Sequence, residues 1–165
     1  MVKLNKKGYL AVEVILASVV AVSIAIFLID LTVKMVNKTN DNYTNTLFLT
    51  DKALITNHLR KEIKQDIQSN EGLKSAGIKN GSCYLEYNNG SGKWINISKD
   101  EENRDAITYS PGYGKTINKD IKYSSIYIDK CGVENNYLII KINFEDIFTT
   151  NNNRDIEIVL YNSTK

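Results

Sequence analysis

The sequence predicts an α+β fold in which one long N-terminal helix packs on an antiparallel β-sheet. Three patterns support this prediction. Residues 9–29 are almost entirely apolar, a helical stripe of apolar residues then extends to Ile67, and from Cys83 onward apolar residues alternate with polar ones. One long helical segment followed by many short strands is the order expected when a helix covers one face of a sheet.

Length and charge restrict the classes of function that the chain can have. Its 165 residues suit one folded domain with an anchor. The formal net charge is +2, which gives no strong attraction to nucleic acid or to acidic lipid.

The apolar segment is long enough to cross a membrane. Residues 9–29 are interrupted only by Glu13, Ser18 and Ser23, and at 1.5 Å per residue the run is about 30 Å long. Basic residues precede it, namely Lys3, Lys6 and Lys7. Positive charge before the first span favours a cytoplasmic N-terminus, so the chain beyond Asp30 is expected to lie outside the cytoplasm.

Three interpretations of this segment compete. A secretory signal peptide also has a basic front and an apolar middle, but this run is long and no small-X-small site follows Ile29. A plain signal anchor fits the hydropathy and leaves Gly8 and Glu13 unexplained. The third interpretation is a leader cut after Gly8. It is favoured because a carboxylate within a membrane span costs about 2.5–3.5 kcal/mol, and the new amino terminus would give that charge a partner.

The residues around this point resemble the type IV pilin and pseudopilin family. A basic leader ends in Gly8 (Lys6-Lys7-Gly8) and is followed by aromatic Tyr9, by Leu10-Ala11-Val12 and by Glu13 at the fifth position after the cut. The chain departs from the family in having Tyr9 where Phe is usual, Leu10-Ala11 where Thr-Leu is commoner, and Asp30 where many major pilins have Pro.

The resemblance implies both processing and architecture. Cleavage after Gly8 by a prepilin peptidase and N-methylation of Tyr9 would follow. Residues 1–8 would be the basic leader peptide, residues 9–29 the transmembrane and filament-core helix, residues 30–72 an amphipathic extension of the helix, and residues 73–165 an extracytoplasmic antiparallel β domain.

The resemblance also implies partners and a location. The subunit would reside in the cell membrane as a single-pass protein and then join a filament at the cell surface. Its partners would be other pilin-like subunits, the prepilin peptidase, a membrane platform and an assembly ATPase. The layout of one helix followed by many short strands is most similar to minor J-type pseudopilins and their competence-system relatives.

Glu13 is the candidate assembly residue. Cleavage would leave a charged amine on Tyr9 at the positive end of a helix dipole, which is unfavourable. Glu13 lies one turn along the same face and can offset this charge within its own chain or pair with the amine of a neighbouring subunit. The second pairing would fix the axial register of adjacent helices. The alternative is a carboxylate that snorkels to the membrane surface.

Beyond the anchor, the apolar residues recur at intervals of four or seven. The stripe consists of Phe48, Ile55, Leu59, Ile63 and Ile67, and it predicts an amphipathic helix that ends within residues 69–72. Charged residues are predicted on the opposite, solvated face, namely Arg60, Lys61, Glu62, Lys64 and Asp66.

The remaining sequence predicts short strands separated by turns. Strands are expected at residues 83–87, 93–97, 106–109, 123–128, 137–144 and 154–161. Turns or loops are expected at residues 88–92, 110–112 and 149–153, which are rich in Asn, Gly, Ser or Thr.

The two cysteines, Cys83 and Cys131, leave two alternatives open. Outside the cytoplasm they can form a disulfide, which would contribute roughly 3–4 kcal/mol through the unfolded state. Otherwise they are two separate buried thiols, which pack as small apolar side chains.

No pattern predicts an enzyme, a metal site or a cofactor. Gly114-Lys115-Thr116 lacks the earlier glycine of a phosphate-binding loop, because Tyr109 occupies that position. One histidine and two separated cysteines give no catalytic set. The ten tyrosines suit a sheet face, and direct contact with single-stranded DNA is disfavoured because Lys and Arg are not gathered around them. The competing non-enzyme class is a signal-anchored extracytoplasmic binding module that does not polymerise.

Overall fold

The long helix and the antiparallel strands are both present in a computed structural model, which describes residues 6–110, 113–117, 123–146 and 154–162. Helix α1 (Lys6–Ser69) is 64 residues long. The strands that follow it are β1 (Leu73–Lys79), β2 (Ser82–Tyr87), β3 (Gly92–Lys99), β4 (Asp105–Ser110), β5 (Tyr113–Thr116), β6 (Tyr123–Glu134), β7 (Tyr137–Asp146) and β8 (Arg154–Tyr161).

The strands form two antiparallel sheets, whereas the sequence predicts one. Strands β1 to β5 form a five-stranded sheet in chain order, and β6, β7 and β8 form a three-stranded sheet with β7 in the centre. Every neighbouring pair is antiparallel. The predicted α+β class, with one long N-terminal helix and antiparallel strands, is confirmed.

The chain divides into two units, Met1–Tyr43 and Thr44–Lys165. The first unit is described from residue 6 and is helical throughout. The second unit contains the remainder of α1 and both sheets, and it holds the buried core.

The predicted apolar stripe of the helix forms one wall of this core. Phe48, Ile55, Leu59, Ile63 and Ile67 are all buried. They join a single cluster with the inward side chains of the five-stranded sheet (Cys83, Leu85, Tyr87, Ile95, Ile107, Tyr109) and of the three-stranded sheet (Leu138, Ile140, Ile142, Phe144, Ile156, Ile158). The helix therefore covers both sheets, because its interval of four places one side chain per turn on the same face.

The helix ends where the sequence predicts. The amide of Gly72 donates a 2.8 Å hydrogen bond to the carbonyl of Ile67, and Glu71 has a left-handed backbone with φ of 64°. This is the geometry of a Schellman cap, which satisfies a terminal carbonyl and turns the chain into β1.

Two strands, β1 and β5, are missing from the sequence-based prediction. β1 and β2 are joined by Asn80-Gly81, whose φ values of 51° and 76° fit a two-residue type I′ turn between Lys79 and Ser82. β5 spans only four residues. Parts of the predicted 110–112 turn and all of the predicted 149–153 loop lie outside the described residues.

A disulfide and a pair of side-chain hydrogen bonds link the two sheets. Cys83 of β2 and Cys131 of β6 form a disulfide with a Cα–Cα distance of 5.7 Å, so the structure selects the first of the two alternatives for the cysteines. Beyond the end of β8, the buried side chain of Asn162 accepts a 2.7 Å hydrogen bond from the amide of Leu73 and donates a 2.8 Å bond to the Leu73 carbonyl.

Candidate functional site

The helical part of the first unit exposes apolar side chains on every face. Each large apolar side chain from Leu10 to Val36 is exposed, by fractions from 38% at Leu31 to 67% at Met35. A helix that is apolar all round belongs in a membrane or in the core of an assembly. Within the described residues, α1 is the one helix long and apolar enough to cross a membrane, with a mean hydropathy of 2.8 in its most apolar window. The finding is compatible with a single-pass membrane protein.

The hydroxyl groups in this segment are already satisfied by the helix itself. Ser18 donates to the carbonyl of Ile15, and Ser23 donates to that of Val19, each at 2.8 Å. Hydroxyls that bond to their own backbone place no unsatisfied donor in lipid. These serines are therefore compatible with an apolar environment and mark no site.

Glu13 differs from these serines. It lies on the exposed surface of the helix, and it forms no hydrogen bond or ion pair with another side chain in the described part of the chain. It is the single ionisable residue between residues 10 and 29. A carboxylate in this position needs a partner from outside the described chain or contact with water.

The predicted cleavage residues precede Glu13 on the same helix. Gly8 and Tyr9 lie on α1, which is described from Lys6 onward. Tyr9 and Glu13 are separated by four residues, which places them on one face one turn apart.

An ion pair follows the apolar run. Lys34 and Asp30 are 2.7 Å apart and largely exposed, as expected for a pair spaced by four residues on a solvated helix. Helix α1 continues through Asp30 without interruption.

The second unit contains a polar network that the sequence does not predict. The prediction that Asp66 lies with the other charged residues on the face opposite the apolar stripe is wrong. The Asp66 carboxylate accepts a 2.5 Å hydrogen bond from the Tyr109 hydroxyl, and the Lys93 ammonium lies 2.7 Å from the same carboxylate oxygen. The Tyr87 and Tyr109 hydroxyl oxygens are 2.7 Å apart. Since the Tyr109 proton faces Asp66, Tyr87 is the donor in the second bond.

The pKa values of both phenols in this network are raised. Burial raises the pKa of Tyr87 to about 12, and the Asp66 carboxylate acts in the same direction. Burial also raises the pKa of Tyr109 far above its usual range, reinforced by its hydrogen bond to Asp66. Both phenols therefore stay protonated at neutral pH. The arrangement holds the end of the helix against the five-stranded sheet, and it offers no free base or nucleophile.

Comparisons with known proteins give no relative. No family model, curated protein or solved structure matches the chain. In the described ranges, no group of three or more His, Cys, Asp or Glu side chains is placed to hold a metal ion.

Proposed function

We propose that this protein is a prepilin-like subunit that is cut after Gly8 and assembled into a type IV pilus or pseudopilus. The observation that carries the proposal is the contrast within the exposed apolar helix: its serines are satisfied by their own backbone, whereas Glu13 has no partner among the described residues. A new amine on Tyr9 supplies a partner of the right charge at the right spacing.

The Glu13 carboxylate would act first in the membrane and then in the filament. In the membrane, Glu13 offsets the amine of its own Tyr9, which lessens the unfavourable positive charge at the start of the helix. In the filament, Glu13 pairs with the Tyr9 amine of the adjacent subunit. Because a buried pair gives little net stability, its role is to set the axial register of the helices. The apolar side chains from Leu10 to Val36 then pack against those of neighbouring subunits.

A prepilin-like subunit would have defined partners and a defined location. A prepilin peptidase would cut the leader on the cytoplasmic side, and a platform with an assembly ATPase would draw the subunit from the membrane into a filament of pilin-like subunits. The disulfide between Cys83 and Cys131 supports an oxidising location for the β domain.

Replacement of Glu13 tests the proposal. Glu13→Ala and Glu13→Gln are expected to insert into the membrane at wild-type levels and to be lost from the sheared filament fraction, because neither side chain carries the negative charge that forms an ion pair with the Tyr9 ammonium. Ser18→Ala is the matched control, since the Ser18 hydroxyl bonds only to its own helix, and it should assemble normally.

Membrane fractionation and quantitative blotting of sheared filaments provide the two measurements. Assembly of Glu13→Ala at the wild-type level would refute the role of the charge. Absence of the wild-type protein itself from the sheared filament fraction would favour the signal-anchored binding module, which does not polymerise.

A further inference from the structure

The outer face of the five-stranded sheet carries a group of aromatic and polar side chains that the proposed function does not use. Alternation along β2 and β3 turns Cys83, Leu85 and Ile95 into the core, where each is fully buried. Tyr84 and Trp94 point the other way and are partly exposed. They are direct cross-strand partners, so the sheet itself places the two rings side by side.

The two rings are held in a fixed arrangement. Their centroids are 4.6 Å apart, with an angle of 46° between the planes. The Tyr84 ring lies over Gly92, where an added Cβ would come within 2.4 Å of the Tyr84 hydroxyl oxygen. The Lys79 ammonium lies 4.3 Å from the Tyr84 ring centroid. Since the rings are already packed, a ligand would order few additional side chains, and this lowers the entropic cost of binding.

Polar side chains with few or no hydrogen bonds to other described residues lie beside the Tyr84 and Trp94 rings. In the register of β3 and β4, Ser110 is opposite Trp94 and Thr108 is opposite Asn96. Asn96 and Ser110 form no side-chain hydrogen bond with another described residue, and the Thr108 hydroxyl has only a 3.5 Å contact with the Asn96 carbonyl. One amide and two hydroxyls are thus available as donors and acceptors next to an aromatic surface.

The charge around this face indicates a neutral ligand. Glu86 is paired with Lys74 at 2.6 Å and also accepts a hydrogen bond from Ser75. Lys79 is the single cation at the rings that forms no ion pair within the described chain. A nucleic acid strand would require several cations along its phosphates, and one lysine does not provide them.

We propose that the aromatic platform, defined as Tyr84, Trp94, Asn96, Thr108 and Ser110, binds a neutral carbohydrate chain. The C–H face of a pyranose ring carries partial positive charge and stacks on the negative face of an aromatic ring. Its hydroxyls can then bond to the adjacent amide and hydroxyls. The proposal is independent of filament assembly, because the platform lies on the β domain.

Trp94 provides the test, because it is the only tryptophan of the chain. The full chain in a detergent without a sugar head group is titrated with hexasaccharides of β-1,4-linked glucose, N-acetylglucosamine and galacturonate, and with oligo-dT. We expect a saturable change of Trp94 fluorescence with at least one neutral hexasaccharide and a weaker response to galacturonate and oligo-dT. No saturable change with either neutral sugar, or tighter binding of oligo-dT that salt abolishes, would overturn the proposal.

Variants that keep the fluorescent reporter locate the site. Asn96→Ala and Tyr84→Ala should each weaken binding of the neutral sugar by about two- to tenfold, the loss expected for one hydrogen bond or one stacked ring. Tyr127→Ala removes an exposed tyrosine from the three-stranded sheet and should bind as the wild type does. The Asn96 side chain has no described hydrogen bond to lose, so unchanged affinity in folded Asn96→Ala would refute its role and with it the platform.

Discussion

The Asp66 carboxylate at the end of helix α1 accepts a 2.5 Å hydrogen bond from the Tyr109 hydroxyl on β4. Tyr109 is 1% exposed and the Asp66 side chain is 17% exposed, so this bond is largely shielded from water. The same carboxylate holds Lys93 of β3, and the Tyr109 ring lies 5.1 Å from the Lys93 ammonium. One acid on the helix thus fixes two strands of the five-stranded sheet.

Loss of the Tyr109 hydroxyl is expected to destabilise the β domain. Tyr109→Phe leaves the buried Tyr87 hydroxyl without its partner and takes a donor from Asp66, which should cost about 1–3 kcal/mol. Chemical denaturation of the full chain in detergent, followed by Trp94 fluorescence, measures the change. The double variant with Tyr87→Phe should recover part of the loss, since no hydroxyl is then left unpaired. Equal stability of Tyr109→Phe and the wild type would contradict this account.

The buried phenols predict a loss of stability in alkali. The pKa of Tyr87 is raised to about 12 in the folded state from 10.0, so the unfolded chain loses its proton first. Between about pH 10 and pH 12 the unfolded state binds fewer protons than the folded state, and the free energy of unfolding falls as pH rises. Across this window, the free energy of unfolding measured by denaturation should fall less steeply with pH for Tyr87→Phe than for the wild type. An identical slope in the two proteins would contradict the burial of this phenol.

Asn162 is expected to matter more than its position near the end of the chain suggests. Its side chain bonds to both the amide and the carbonyl of Leu73 while being only 4% exposed. Asn162→Ala leaves these two backbone groups buried without partners, at a cost of about 1–3 kcal/mol. Asn88→Ala is the matched control, because Asn88 makes a similar bond to the Glu71 carbonyl on the exposed surface. Thermal unfolding of the two variants should differ clearly, and equal midpoints would show that burial is not the cause.

The disulfide is expected to stabilise the protein by restricting the unfolded chain. Cys83 and Cys131 are separated by 48 residues in sequence, and closing a loop of this length is worth about 4 kcal/mol in the chain-entropy model. The Cys83→Ala/Cys131→Ala double variant should unfold at a correspondingly lower denaturant concentration. Reducing agent should lower the midpoint of the wild type and leave the variant unchanged. If reduction shifted both proteins equally, the effect would not arise from this bond.

The elements with strong periodicity were predictable from sequence. The stripe from Phe48 to Ile67 has an interval of four or seven, and the structure buries each predicted member. The strand at 83–87 alternates strictly, and β2 occupies Ser82–Tyr87. In both cases one face of the element is buried, so the hydrophobic pattern and the structure have the same cause.

Strand β1, the division into two sheets and the place of Asp66 have no clear hydrophobic periodicity in the sequence that predicts them. β1 contains Lys74, Ser75, Gly77 and Lys79, so its apolar residues do not alternate, although the Asn80-Gly81 dipeptide was a usable hairpin signal. Each sheet pairs strands that are consecutive in the chain, and the division into two sheets falls between β5 and β6, where the sequence carries no local signal for it. The charge of Asp66 predicts a place on the face opposite the apolar stripe, whereas its position next to Ile67 brings it to the edge of the core, where Tyr109 and Lys93 satisfy its carboxylate.

The amino-terminal residue of the mature protein is the most direct test of the proposed function. Mass spectrometry of the protein from cells with and without prepilin peptidase identifies this residue. The proposal predicts a chain that begins at Tyr9, N-methylated, only when the peptidase is present. An intact Met1 in both strains, or a cut beyond Ile29, would contradict it, because Glu13 would then have no amine to pair with and the chain would be a tethered or secreted domain.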